Sequence, residues 1–431
     1  MDITIIGGGL AGVEAAYQLA TRDHRVSLYE MRPARYTPAH KTSFLSELVC
    51  SNSLKSQEFT NAHGLLKEEL RRLGSIVMSK ADEAAIPGGK ALVVDREIFA
   101  RTITEEIEAN PRINVIRREI EDIPDGTVII ATGPLTSNTL AEKLGEITGT
   151  HNLFFFDAIS PIVDGATINM DKAFFGSRYS EKSEDYLNCP MNKEEYDAFY
   201  DALMGAEKVD LKSFEKTSFF EGCLPIEIMA ARGRQTLAYG PMKPVGLKDT
   251  INGKKPYAVL QLRRENRSGT MYNLVGFQTK LTYAEQERVF GIVPALKNAV
   301  FLRYGSIHRN TYINSPVLLD NALRLKGHGQ IFFAGQITGV EGYVESIAMG
   351  LIAGVSAHLS IMNRVFLPPP ADTCVGSLLN YITSPIDNFQ PMNINFGLMK
   401  NYNKREKGKI VQNALHIIST WKEEIDKNSK K

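Results

Sequence analysis

The segment Gly7-Gly8-Gly9-Leu10-Ala11-Gly12 constrains this chain more than any other, because of what flanks it. Ile3 to Ile6 is a short apolar, β-branched run, Val13 to Ala20 is helical in character, and Arg25 to Tyr29 reads as a second strand ending at Glu30. A GxGxxG turn that opens a helix after a strand, with an acid about 20 residues further on, is the fingerprint of a dinucleotide site. The glycines let the backbone approach a pyrophosphate, and the helix N-terminus supplies positive potential. Glu30 is placed to accept hydrogen bonds from an adenosine ribose. Gly7, Gly8, Gly9, Leu10, Ala11, Gly12 and Glu30 are therefore expected to bind the nucleotide. A tight β–α packing turn is the plainer account, and the acid in register argues against it.

Two later segments indicate which nucleotide. Thr127 to Thr132 runs as a strand into Gly133-Pro134. Gln330 to Ala334 is another strand, followed by Gly335-Gln336 and by Gly339-Val-Glu-Gly342-Tyr343, which opens a long uncharged stretch. A helix aimed by its N-terminus at a flavin stabilises the anionic reduced ring. An NAD-only dehydrogenase has no use for a second glycine turn so far downstream. FAD is the expected prosthetic group, and Gly133, Gly335, Gln336, Gly342 and Tyr343 join the expected cofactor residues.

The stretch Ser346 to Asn363 carries no formal charge and is long enough to raise the question of a membrane span. Its glycine, serine and histidine content reads better as a buried helix. The N-terminus lacks a basic region and its apolar run breaks at Gly7, so no signal peptide is expected.

A length of 431 residues allows two or three domains. The expected class is α/β, a FAD-binding Rossmann-type domain with an inserted α+β substrate domain. The expected boundaries are 1–150 for the first FAD-binding part, 151–325 for the insertion, 326–366 for the second FAD-binding part, and 367–431 for a proline linker and tail. Strand-like runs at Tyr257 to Leu262 and Tyr272 to Phe277 fall inside the insertion.

Fifty basic against 49 acidic residues exclude a supercharged nucleic-acid coat, yet between Ala231 and Lys280 ten basic residues meet only Asp249 and Glu265. A basic segment in a neutral protein suits a phosphate backbone, with Arg263 and Arg264 as candidates. An ordinary solvated face is the competing account. Lys400, Lys404, Arg405, Lys407 and Lys409 form a second basic cluster.

Four cysteines occur, none in a CxxC pair, which argues against a disulfide scaffold and for reduced thiols in the cytoplasm. The eight histidines show no ligand spacing with cysteine or paired acids, so no metal is expected. Cys50 lies in Glu47-Leu-Val-Cys50-Ser-Asn-Ser-Leu-Lys55, and Cys223 in Phe219-Phe-Glu-Gly-Cys223-Leu-Pro-Ile-Glu227, both among small or turn-forming neighbours.

At these residues the chain resembles the folate- and FAD-dependent tRNA uracil-5-methyltransferases. GGGLAG, ELVCSNSLKS, GLLKEELRRLGS, IATGPLTS, FEGCLPIEIMAARG, GPMKPVGL, YGSIHRNTYINSP, FFAGQITGVEGYVES and NFQPMNINFGL carry the resemblance across nearly the whole chain. It implies transfer of a one-carbon unit from methylenetetrahydrofolate to uridine C5 of tRNA, at position 54 of the T-loop, with FADH2 as hydride donor and NADH or NADPH as reductant. A thiolate adding to uracil C6 makes C5 nucleophilic. The resemblance assigns that role to Cys223 and makes Cys50 the second catalytic thiol, with the two roles open to exchange. Cys189 and Cys374 are expected to be structural.

Tyr343 is a candidate to cover the pterin, or else a residue bridging helix and sheet. His308 and Arg309 are candidates for a folate glutamate or an RNA phosphate. No membrane or protein partner is expected. Alternatives are the same chemistry on large-subunit ribosomal RNA, a FAD-dependent small-molecule oxidoreductase, a wobble-uridine modifying flavoprotein, and a non-catalytic RNA-binding flavoprotein.

Overall fold

A computed structural model describes residues 2–149, 153–178, 184–209, 224–247, 253, 255–400 and 403–430. The central sheet has six strands in the spatial order Arg324–Leu325, His328–Phe333, Val128–Ile130, Asp2–Ile6, Arg25–Tyr29 and Ile113–Ile116. All neighbours are parallel except the Arg324–Leu325 edge. Helices cover the faces of such a sheet, which is why its strands read as apolar runs. This is the FAD-binding Rossmann-type α/β fold expected from the glycine turn.

The register sets up the site. Ile6 pairs with both Tyr29 and Ile130, and Ile130 with Phe333. Gly7, Glu30, Ala131 and Ala334 therefore emerge side by side at the carboxyl ends of the strands, where open α/β sheets bind ligands.

The apolar helix Tyr343–Ile361 packs lengthwise on Leu10–Ala20. A Cβ at Gly350 would stand 2.3 Å from the Ala11 carbonyl oxygen, and one at Gly354 would stand 3.0 Å from that of Ala15. Small residues four apart on both helices allow this approach. The helix is long and apolar enough to cross a bilayer, but 89% of its most apolar 18-residue window is buried inside the fold. Core packing accounts for the missing charges.

A second six-stranded sheet, wholly antiparallel, runs Phe174–Gly176, Tyr186–Met191, Ala258–Arg264, Met271–Leu274, Ile162–Asp164 and Phe301–Arg303. It has its own core, in which Tyr196, Phe199, Phe277 and Phe290 are buried. The chain enters and leaves this unit along a two-stranded antiparallel ribbon, Leu153–Ala158 paired with Ile307–Tyr312. Tyr312, Ile313, Leu318 and Leu323 already belong to the first core, so the chain returns there before position 325. The segment after the proline run also packs on that core, through Cys374, Leu378 and Trp421. Its helix Cys374–Thr383 is anchored by Glu69, whose carboxylate accepts the N–H groups of Cys374 (2.8 Å) and Val375 (2.9 Å).

Candidate active site

Gly7 has φ +108°, and a Cβ there would stand 2.5 Å from the Ala131 carbonyl oxygen; at Gly12 it would stand 1.8 Å from that of Gly7. Only glycine permits this turn. In front of Gly9 and Gly133, by contrast, a Cβ would meet nothing within 4 Å. That open space belongs to a cleft of about 1010 Å³ lined by Gly7, Gly8, Gly9, Leu10, Ala11, Glu30, Gly133 and Pro134. Gly12 and Gly335 stand behind the cleft instead. Gly335 sits against Ala11, where an added Cβ would come within 2.6 Å of the alanine methyl.

Arg32 grips the Glu30 carboxylate through Nε (2.8 Å) and Nη2 (3.0 Å), and the Gly8 N–H donates to it at 3.1 Å. Burial alone would raise its pKa, but the hydrogen bonds and charge of Arg32 outweigh burial and hold it below the usual carboxylate value. An ionised acceptor facing open glycine amides fits the ribose and pyrophosphate of a dinucleotide. The residues present therefore fit FAD, with Gly7 to Ala11, Glu30 and Gly133 as its holders.

A second cavity of about 1280 Å³ adjoins the cleft and shares Val49, Pro134, Leu135, Gln336 and Tyr343 with it. Cys50, Asp157, His308, Glu341 and Gly342 are on its wall. Cys50 is half-buried, on a loop that four separate elements hold. The Tyr343 hydroxyl accepts the N–H groups of Cys50 (2.8 Å) and Ser51 (3.2 Å). Arg96 donates to the Leu48 carbonyl oxygen, and Arg303 to that of Val49 at 2.7 Å. Arg263 donates to Ser51 Oγ (2.8 Å) and Asn52 Oδ1 (2.9 Å). Burial pushes the Cys50 thiol up to about 12; Asp157 and Glu341 add to the rise, while Arg96 and Arg303 oppose it. Burial, with the negative charge of Asp157, likewise pushes Glu341 up to about 8, and Gln336 Nε2 donates to it at 2.5 Å.

Several expectations change. Arg263 is 7% exposed and spent on the Cys50 loop, so it is no part of a solvated RNA footprint; both faces of its strand are covered from Ala258 to Arg263. Arg264 is half-buried, its guanidinium 5.3 Å from the Phe175 ring centre. His308 and Arg309 part company because neighbours on a strand face opposite ways. His308 lines the second cavity opposite Asp157. Burial pushes it down to about 4, with Arg303 and Lys41 adding to the fall, so at pH 7 it offers a neutral imidazole rather than a positive charge. Arg309 is exposed, its guanidinium 3.8 Å from the Phe154 ring centre.

Cys189 and Cys374 are buried. Cys223 lies outside the described residues. Sequence reasoning missed Asp157, Glu341, Arg96 and Arg303; the polar run Ser51-Asn52-Ser53 after Cys50 was the available sign that the loop needed anchoring.

The family model for glucose inhibited division protein A matches residues 2–365. The methylenetetrahydrofolate--tRNA-(uracil-5-)-methyltransferase TrmFO of Syntrophus aciditrophicus is 54% identical over 431 residues, covering 98% of each chain. That of Geobacter sulfurreducens is 53% identical over 427 residues, covering 97% of this chain and 98% of its own. Among solved structures, Aquifex aeolicus GidA in its form II crystal superposes with a TM-score of 0.71 at 16% identity, covering 98% of this chain and 73% of that one; at that identity the likeness shows the fold alone. Identity above half along nearly the full length is decisive: the chain belongs to the TrmFO family of methylenetetrahydrofolate--tRNA-(uracil-5-)-methyltransferases, within the glucose inhibited division protein A group.

Proposed function

We propose that this chain methylates uridine C5 in tRNA, at position 54 of the T-loop, with methylenetetrahydrofolate as carbon donor, FAD as resident cofactor and NADH or NADPH as reductant, in the cytoplasm. The observation that carries the reading is the placement of Cys50 on a cavity that shares Gln336 and Tyr343 with the dinucleotide cleft.

The glycine turn holds the cofactor's pyrophosphate on the N-terminus of Leu10–Ala20, and Glu30 holds its ribose. The N-terminus of Tyr343–Ile361 directs positive potential into the space where the two cavities meet. Reduced FAD, when bound, supplies the hydride that turns the transferred methylene into a methyl group.

Cys223 adds as thiolate to uracil C6, which makes C5 the nucleophile toward the folate methylene carbon. Cys50, as thiolate, takes the C5 proton; in so enclosed a place the sulfur anion is a strong base. Loss of that proton expels tetrahydrofolate from the methylene carbon, and when the carbon then gains its hydride, the C6–S bond breaks and the Cys223 thiolate is restored. Tyr343 keeps the Cys50 backbone facing the cavity, and its ring is offered to the pterin. Arg264 and Arg309 remain the candidates for RNA phosphates.

The test is to incubate purified, FAD-loaded protein with methylenetetrahydrofolate, NAD(P)H and undermodified RNAs, and to map 5-methyluridine by mass spectrometry. The product is expected in tRNA. Product in large-subunit ribosomal RNA instead would redirect the substrate, and no product in either would refute the reading. Cys223→Ala is expected to abolish product while FAD remains bound, and full activity of that variant would remove its assignment.

A further inference from the structure

Resting on the proposed function, the surroundings of Cys50 raise a question that the reaction alone does not answer: why three guanidiniums close on one loop. Arg96 has a counter-ion, since Glu265, itself 1% exposed, meets its Nη2 at 2.8 Å. Arg263 and Arg303 have no ion-pair partner among the described residues, and their hydrogen bonds go to neutral acceptors. For Arg263 these are Ser51 Oγ and Asn52 Oδ1; for Arg303 they are the carbonyl oxygens of Val49 (2.7 Å) and Ala39 (3.3 Å).

An enclosed cation without an anion is costly, and such charges persist where a counter-charge arises. The two arginines bracket Cys50 in the chain, one gripping the residue before it and the other the two residues after it. Cys50 is also an ionisable group that acts on both of them. Glu265 acts on both too, on Arg263 more strongly than Cys50 does and on Arg303 less strongly, but its carboxylate is already hydrogen-bonded to Arg96.

We propose that buried Arg263 and half-buried Arg303 take the Cys50 thiolate as their counter-ion, which makes both of them positioning residues for that thiol. The guanidiniums do not touch the reacting carbon. They hold residues 49 to 52 so that the sulfur faces the cavity, and they offset the loss of water around its negative charge. Burial and the Asp157 and Glu341 carboxyls, from the ribbon and from the turn before Tyr343–Ile361, act the other way, while Arg96 acts with Arg303. Tyr343 faces the same loop and supplies a hydrogen-bond acceptor. The outcome is a sulfur that ionises reluctantly at rest and whose anion has two cations waiting for it.

The test is the pH dependence of Cys50 alkylation by iodoacetamide in full-length, FAD-loaded protein, followed by mass spectrometry of the Cys50 peptide. Arg263→Met and Arg303→Met should each slow alkylation about tenfold at fixed pH, equivalent to a rise of about one pH unit in the thiol's ionisation. Arg303→Lys, which keeps the charge, should recover most of the rate, and Asp157→Asn should raise it above that of the parent. A merely structural role predicts the reverse, because a loosened loop exposes the thiol and speeds alkylation. Unchanged or faster alkylation in the methionine variants, or a lysine variant as slow as methionine, would overturn the proposal. Should Arg263→Met fail to retain FAD, Asp157→Asn decides with both arginines in place, and no gain in rate there overturns it as well. Alkylation requires neither folate nor RNA. Loss of the arginine dependence and loss of methyl transfer are therefore separate results, and each refutes a different claim.

Discussion

Tyr343→Phe removes one oxygen and leaves the ring. That oxygen accepts two backbone N–H groups, from Cys50 at 2.8 Å and from Ser51 at 3.2 Å. An enclosed donor left without an acceptor costs roughly 1–3 kcal/mol. Here the longer bond is the weaker one, and the loop lines a cavity that water can enter, so the low end applies to each donor. The sum is about 2 kcal/mol, a factor of about 30 in the population of the held loop. The loop retains Arg96, Arg263 and Arg303 as anchors, so the cost should appear as local opening rather than unfolding. Amide hydrogen exchange over the Cys50 peptide should therefore speed up by about 30-fold, and single-turnover methyl transfer should fall by a similar factor, with FAD content unchanged. Tyr343→Phe with parental exchange and parental turnover would refute the view that the phenol oxygen holds this loop.

Other consequences follow from separate parts of the molecule. Gly12→Ala forces a methyl to within 1.8 Å of the Gly7 carbonyl oxygen, an overpacking cost of about 1–3 kcal/mol or more; the purified variant should lack FAD absorbance, and a parental flavin spectrum would contradict the turn geometry. Burial holds the folded-state pKa of Glu69 at about 8, above its ordinary value of 4.5. Its stabilising contribution is thus complete below pH 4.5 and disappears as pH rises through 8; urea unfolding at pH 6 and 9 should show this loss, and Glu69→Gln, which keeps a carbonyl acceptor, should flatten it. Equal pH dependence in the two proteins would count against a proton on Glu69. Arg264→Glu should weaken tRNA binding and lower its salt dependence without loss of flavin; an unchanged salt slope would remove Arg264 from the RNA contacts.

Local rules suffice where function is written into consecutive residues. The glycine turn, the strand before it and Glu30 after it are legible because the positive φ at Gly7 and the close approach of its carbonyl to Gly12 admit no other residue, and because parallel-strand register places position 30 beside position 7. The late helix was legible as buried from its composition, although its reason, the close approach of Gly350 and Gly354 to Ala11 and Ala15, needed the partner helix. The stretch 367–431 reads as a proline linker and tail, and its packing on the first core was not legible, because a proline run says where a helix cannot continue, not which surface the following helices cover.

Fold class, the nucleotide site and the family motifs around both cysteines were set by sequence alone, since each depends on residues a few positions apart whose chemistry is read directly. Tertiary structure decided what surrounds Cys50. Arg96, Arg263, Arg303, Asp157, Glu341 and Tyr343 come from elements up to 293 positions away in the chain, and nothing in local spacing distinguishes an arginine that faces RNA from one that turns inward to a thiol. Packing of the Cys50 loop against its strand fixed that choice for Arg263, and strand alternation separated His308 from Arg309. Side-chain direction depends on which face of a sheet is covered, and that is settled only when the distant segments pack.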